Sequence, residues 1–195
     1  MSRLSRTLTL SLALVLAPLA NAQTTIGFEG LPDATVLTTQ LAGFVFTRTI
    51  VLGSGISLNE FEFPPHAGSN VASDDGGTMQ IAFSGPMSAV SGFFTYAAPL
   101  TLTAFDAGGL VVASVQSLFA SNLALSGMAG SHPNELLAVV APAGIARVVI
   151  AGAAGGGSFT LDDLAVTPIP EPATAVLLLA GMLGVAAFAR RGASL

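Results

Sequence analysis

Short runs rich in Val, Ile, Phe and Thr recur through the middle of the chain, each closed by Gly, Pro, Asn, Asp or Ser. Alternation of this kind, punctuated by turn formers, predicts strands. The pattern places them at 25–28, 43–47, 78–83, 90–96, 100–105, 110–115, 135–140, 147–151 and 158–166. Asp106-Ala107-Gly108-Gly109 is a turn signal that joins two of them as a hairpin. No window inside this region carries a convincing helical stripe; 118–125 comes nearest and is too short. The pattern predicts an all-β fold, an antiparallel β-sandwich of jelly-roll type. The stretches 52–77 and 116–134 read as long loops, where a rigid sandwich would carry binding. In Phe159-Thr160-Leu161 the apolar positions are odd-numbered, whereas in Leu164-Ala165-Val166 the larger ones are even-numbered. Strand faces alternate with a period of two, so a bulge is expected at Asp162-Asp163.

The ends follow a different pattern. Arg3 and Arg6 precede an apolar run over 8–19, followed by Ala20-Asn21-Ala22, the arrangement of a signal peptide with Ala20 and Ala22 at the positions a signal peptidase reads and Gln23 as the mature start. The run of about a dozen residues is short of the roughly 20 that span a bilayer. At the other end, 173–189 holds no charge and is followed by Arg190 and Arg191. As a helix it would reach roughly 26 Å, and a basic flank stays cytoplasmic, so the preceding domain faces outward. The expected organisation is a signal peptide at 1–22, a β-sandwich ectodomain at 23–167, and a sorting and anchor segment at 168–195 with a single transmembrane helix near 173–189.

Ile169-Pro170-Glu171-Pro172, the apolar run, Arg190-Arg191 and a very short tail together resemble the PEP-CTERM sorting signal. The resemblance covers about the last 27 residues, and its basic cluster has two arginines where three are frequent. It implies an exported Gram-negative protein whose processing partners are signal peptidase and an exosortase-type membrane protease. The protease would remove the anchor near the triplet, releasing the domain from the inner membrane to the cell surface or the extracellular space. It also implies association with exopolysaccharide and biofilm. A second resemblance rests on Ile26-Gly27-Phe28-Glu29 and Phe159-Thr160-Leu161-Asp162-Asp163-Leu164, which are similar to the first and last strands of carbohydrate-binding-module-like jelly rolls. It implies a structural calcium ion held by Glu29 and Asp162, with Asp163 next.

Composition narrows the chemistry. The 195 residues are 52% hydrophobic and 9% charged, with no cysteine, which excludes disulfides, thiolate metal sites and a cysteine nucleophile. All six basic residues are arginines. Between residues 23 and 167 ten carboxylates face Arg48 and Arg147, a net charge of −8 that excludes an electrostatic nucleic-acid binder. His66 and His132 stand 66 residues apart, in no metal-ligand spacing, and there is neither a G-x-S-x-G elbow nor a phosphate-binding glycine loop. Tyr96 is the one Tyr and there is no Trp, which weighs against a strong glycan platform. Ser73-Asp74-Asp75-Gly76-Gly77 reads as a solvated turn. In 59–66, Phe61 and Phe63 are expected to pin the loop while the glutamates face water.

No catalytic residue is assigned. The sequence thus predicts a non-catalytic, exported surface or matrix protein, with a calcium-stabilised carbohydrate-binding module and an extracellular hydrolase as the alternatives.

Overall fold

The computed structural model describes residues 22–169 and 181–183. The expectations for 1–21, among them Ala20, and for Pro170, Glu171, Pro172, Arg190 and Arg191 lie outside the described residues. Among the described residues no helix is long and apolar enough to cross a membrane.

Among the described residues nine strands form one antiparallel sheet: β1 (Thr24–Ile26), β2 (Phe44–Thr47), β3 (Thr49–Gly53), β4 (Asn70–Asp74), β5 (Met79–Tyr96), β6 (Thr101–Phe105), β7 (Val111–Gln116), β8 (Glu135–Ala151) and β9 (Phe159–Pro168). Two strands are long enough to serve both halves of the sheet. The first half of β5 pairs with β2 on one side and with the second half of β8 on the other, and β6 and β7 continue outward. The second half of β5 pairs with the first half of β8 and with β9, and β4 and β3 continue outward. β1 adds to the far end of β9, with Thr24 opposite Val166. Between the halves the β5–β8 register shifts on both sides of Met87, close to Pro86 and Pro142. Proline donates nothing to the ladder, so it is tolerated where pairing lapses.

Folding at that line brings both inner faces into one core. Phe46, Ile81, Leu102, Val148 and Ile150 from one half meet Val51, Ala72, Phe94, Val139 and Leu161 from the other. Rings lock the ends: Phe28 meets Phe46 edge-on at 6.4 Å, and Phe94 lies 6.2 Å from Phe159. Each buried side chain of this size contributes roughly 1.5–3 kcal/mol. This is the two-faced packing a β-sandwich requires.

The pattern predicts nine strands, but two expected pairs fuse, β4 falls within the expected loop 52–77, and β3 forms where the pattern assigns no strand. Ser84-Gly85-Pro86 and 141–146 bend β5 and β8 without ending them. β3 follows β2 after one residue, Arg48, whose φ of 54° turns the chain from one half of the sheet to the other. β4 reads Asn-Val-Ala-Ser-Asp, a turn-former composition that tertiary contact overrides. Ser73 Oγ donates to Phe159 O, and Asp74, 2% exposed, is no solvated turn residue. Of the expected loop 116–134, Gln116 closes β7 and 117–134 remain irregular up to β8. The Asp106 hairpin forms, with Gly109 at φ 83° and Leu110 N–H donating to Asp106 Oδ1 at 2.9 Å.

Leu161 has no exposed surface. Leu161→Ala is expected to cost about 2–5 kcal/mol, whereas exposed Val140→Ala stays within about 0.5 kcal/mol; urea unfolding of both variants checks this.

Candidate functional site

The sequence marks β9 at Asp162-Asp163, and the expected bulge is there. Ser91 pairs with Ala165 and Phe93 with Asp162, so two residues of β9 stand against one of β5. Asp163 takes φ 45°, a conformation unusual outside glycine, and the two carboxylates point apart as a result. Asp162 is 1% exposed and turns under the loop before β4. Its Oδ2 accepts the His66 N–H at 2.8 Å and the Ala67 N–H at 2.9 Å, and its Oδ1 accepts the Asp163 N–H at 2.7 Å. Asp163 stays nearer the surface, where Oδ2 meets His66 Nδ1 at 2.7 Å. The imidazole lies flat on Phe93, with centroids 3.5 Å apart and an interplanar angle of 6°.

Glu29 reaches the same loop from the other side. Phe28, at φ 62°, turns the chain out of the line of β1. Glu29 Oε1 then accepts the N–H groups of Ser69 and Asn70, both at 2.9 Å. Gly68 sits against this carboxylate at φ 62°; a Cβ there would run into it. A Cβ at Gly27 would lie 3.3 Å from Asp163 Oδ1 and 4.0 Å from Glu29 Cγ, so this glycine lets the two acids approach. Glu29 and Asp162 therefore converge on the backbone of 66–70, and Asp163 meets the His66 ring of the same loop.

The donors they meet are N–H groups. Calcium takes six to eight oxygens, carboxylates and carbonyls among them. Among the described residues no three His, Asp or Glu side chains form a metal-holding group. As arranged, the three acids grip a loop through N–H donors.

Other acids repeat the pattern. Asp74 accepts Ser158 N–H at 2.9 Å, Ser158 Oγ–H at 3.0 Å and Phe159 N–H at 3.0 Å. Asp33 accepts Gly53 N–H at 2.7 Å and the Ser57 hydroxyl. Glu62 accepts Leu125 and Ser126 N–H groups, tying the two long loops together. Glu62 fastens this region and Phe63 is half-buried, whereas Phe61, expected to pin the loop, is 73% exposed. Asn134 adds a second tie, donating to Pro64 O at 3.2 Å. Asn122, fully buried, bonds the Tyr96 N–H and donates to Phe94 O and His132 O. Neither asparagine stands in a motif; each partner is distant in sequence, so no local signal marks them.

Electrostatics follow burial. Burial raises Asp162 and Asp74 above the ordinary carboxylate range, against the backbone N–H bonds that lower them. Asp33 and Glu62, near the surface, are lowered, chiefly by the hydroxyls of Ser57 and Ser126. Tyr96 is pushed up to about 12 by burial and then by its bond to Glu135. With no exposed surface, this ring offers no platform to a ligand. A cavity of 440 Å³ opens at the bend of the sheet, lined by Phe83, Pro86, Asp106, Gly108, Gly144 and Ala146 among others. Its ionisable group, Asp106, already caps Leu110. Ala22 and Gln23 are exposed ahead of β1.

No family model matches the chain, and no curated protein does. Solved structures similar in chain course include a cleaved adhesin domain of Lys-gingipain, at 17% identity over 75% of this chain and 99% of that one, with a TM-score of 0.49. TmCBM61 in complex with beta-1,4-galactotriose is 16% identical over 73% of this chain and 94% of that one, TM-score 0.41. The family 11 carbohydrate-binding module from Clostridium thermocellum is 10% identical over 78% and 99%, TM-score 0.36. At these values the likeness carries no argument about ligand or activity.

A carboxyl group raised by burial binds its proton at a higher pH in the native than in the unfolded chain. The stability it contributes is complete below the unfolded value of 3.8 and is lost as pH rises through the native value. Asp162→Asn lacks this group. The stability of the unsubstituted protein relative to Asp162→Asn is thus expected to rise on acidification from about pH 7 toward about pH 4, read from urea midpoints across that range.

Proposed function

We propose that this chain is an exported, non-catalytic surface or matrix domain, sorted through its C-terminal Pro170-Glu171-Pro172 segment and associated with exopolysaccharide. One observation carries the non-catalytic reading. Glu29, Asp33, Glu62, Asp74, Asp106, Glu135 and Asp162 each accept at least one backbone N–H of the protein itself. His66 is likewise engaged, by Asp163 and Phe93. Acids occupied in this way hold loops in place and are not poised for proton transfer. The sorting reading is supported by sequence: the cleavage signal at one end, and the triplet, apolar run and Arg190-Arg191 at the other.

The test is fractionation of the full chain in a host that has the exosortase pathway. The protein is expected in the surface or medium fraction without its apolar tail. The triple change Pro170→Ala, Glu171→Ala and Pro172→Ala should hold it in the inner membrane with the tail intact. Identical fractionation of both proteins overturns the sorting reading.

A calcium-stabilised carbohydrate-binding module is the second reading, favoured by the convergence of Glu29, Asp162 and Asp163 on one loop. An ion there would have to displace N–H donors already in place. Adding calcium to chelator-treated protein is expected to leave Tm unchanged; a rise of several degrees, lost in Asp162→Asn, would favour the module instead.

A further inference from the structure

We infer that Gln23 cyclises to a pyroglutamyl residue in the exported protein, which then carries no primary amine. The inference rests on the reading that signal peptidase cuts after Ala22. The chemistry needs only the residue itself. The unprotonated α-amine of Gln23 attacks its own side-chain Cδ. A C–N bond closes a five-membered lactam, the bond from Cδ to the amide nitrogen breaks, and that nitrogen leaves as ammonia with the proton given up by the amine. No oxidant or co-substrate takes part. An α-amino group titrates at roughly 7.7–8.0, so a share of it is nucleophilic at neutral pH.

The structure leaves this residue free to react. Pairing with β9 begins at Thr24, opposite Val166, so Gln23 lies one residue outside the ladder. Both Ala22 and Gln23 are exposed. Ring closure therefore breaks no sheet hydrogen bond, and the lactam can take its restricted backbone geometry without disturbing β1.

The rest of the sequence gives the ring its significance. The chain contains no lysine and no cysteine. A chain cut after Ala22 has one amine, its own terminus, and cyclisation removes both its nucleophilicity and its charge. Acyl transfer onto such a protein through nitrogen is closed. A covalent link to the cell surface is left to oxygen and carboxyl chemistry, the carboxyl group that a cut near Pro170-Glu171-Pro172 would release among the possible points.

The experiment uses the full chain, purified from an exporting host. Peptide mass mapping is combined with labelling by an amine-reactive succinimidyl ester. A synthetic peptide of the linear sequence from Gln23 is carried through the work-up to register cyclisation during handling. The expected result is an N-terminal peptide that starts at residue 23, is lighter than the linear form by one ammonia, and takes no label. Gln23→Ala should start at residue 23 and take one label per chain. A linear, labelled Gln23 peptide overturns the cyclisation and leaves the cleavage reading standing. A peptide that starts elsewhere overturns the cleavage reading and the cyclisation with it.

Discussion

The Asp162 carboxylate, buried under the loop before β4, is the contact on which the arrangement of this end of the molecule depends. It takes three backbone N–H groups, two of them from residues nearly a hundred positions earlier in the chain. Hydrogen bonds to a charged group contribute about 1.5–3 kcal/mol each. Burial nevertheless raises the Asp162 pKa, so for the ionised form the loss of water outweighs those bonds. Its main effect is therefore on position. With Asp162 in place, 66–70 has one location, Glu29 and His66 have partners, and β4 is delivered to the edge of β9. Taking the carboxylate away would leave the His66 and Ala67 N–H groups facing a low-dielectric interior, where an unpaired donor is costly.

What the sequence reveals of the fold depends on how local each signal is. The bulge at Asp162-Asp163 is legible because a change of alternation within eight residues is local. So is the Asp106 hairpin, whose hydrogen bonds all fall within five residues. β4 was not legible: its polar residues are buried against Ser158 and Phe159, more than eighty positions on, and read alone they are turn formers. β5 and β8 were read as four strands because Gly and Pro interrupt them. Only the pairing partner tells a bent strand from two separate ones.

The same division holds for the candidate site. Glu29, Asp162 and Asp163 were identified as acting together, and they do close on one loop. The sequence shows carboxylates and cannot show which donors reach them: the N–H groups of His66, Ala67, Ser69 and Asn70 come from a loop far off in the chain. His66 stacked on Phe93, and Glu62 joined to Leu125 and Ser126, arise from packing between loops that no spacing rule links. Phe61 is the complementary case: an aromatic expected in the core that the fold leaves outside.

β9 is flanked along its length, by β5 on one side and by β4 and then β1 on the other. A tether attached beyond Pro168 would load the molecule through this interior strand, not through an edge. The pull runs along antiparallel neighbours, so the hydrogen bonds on both sides are sheared together instead of being peeled one at a time. A domain held by its C-terminal end in flowing water would thus meet mechanical load where its sheet is most evenly braced.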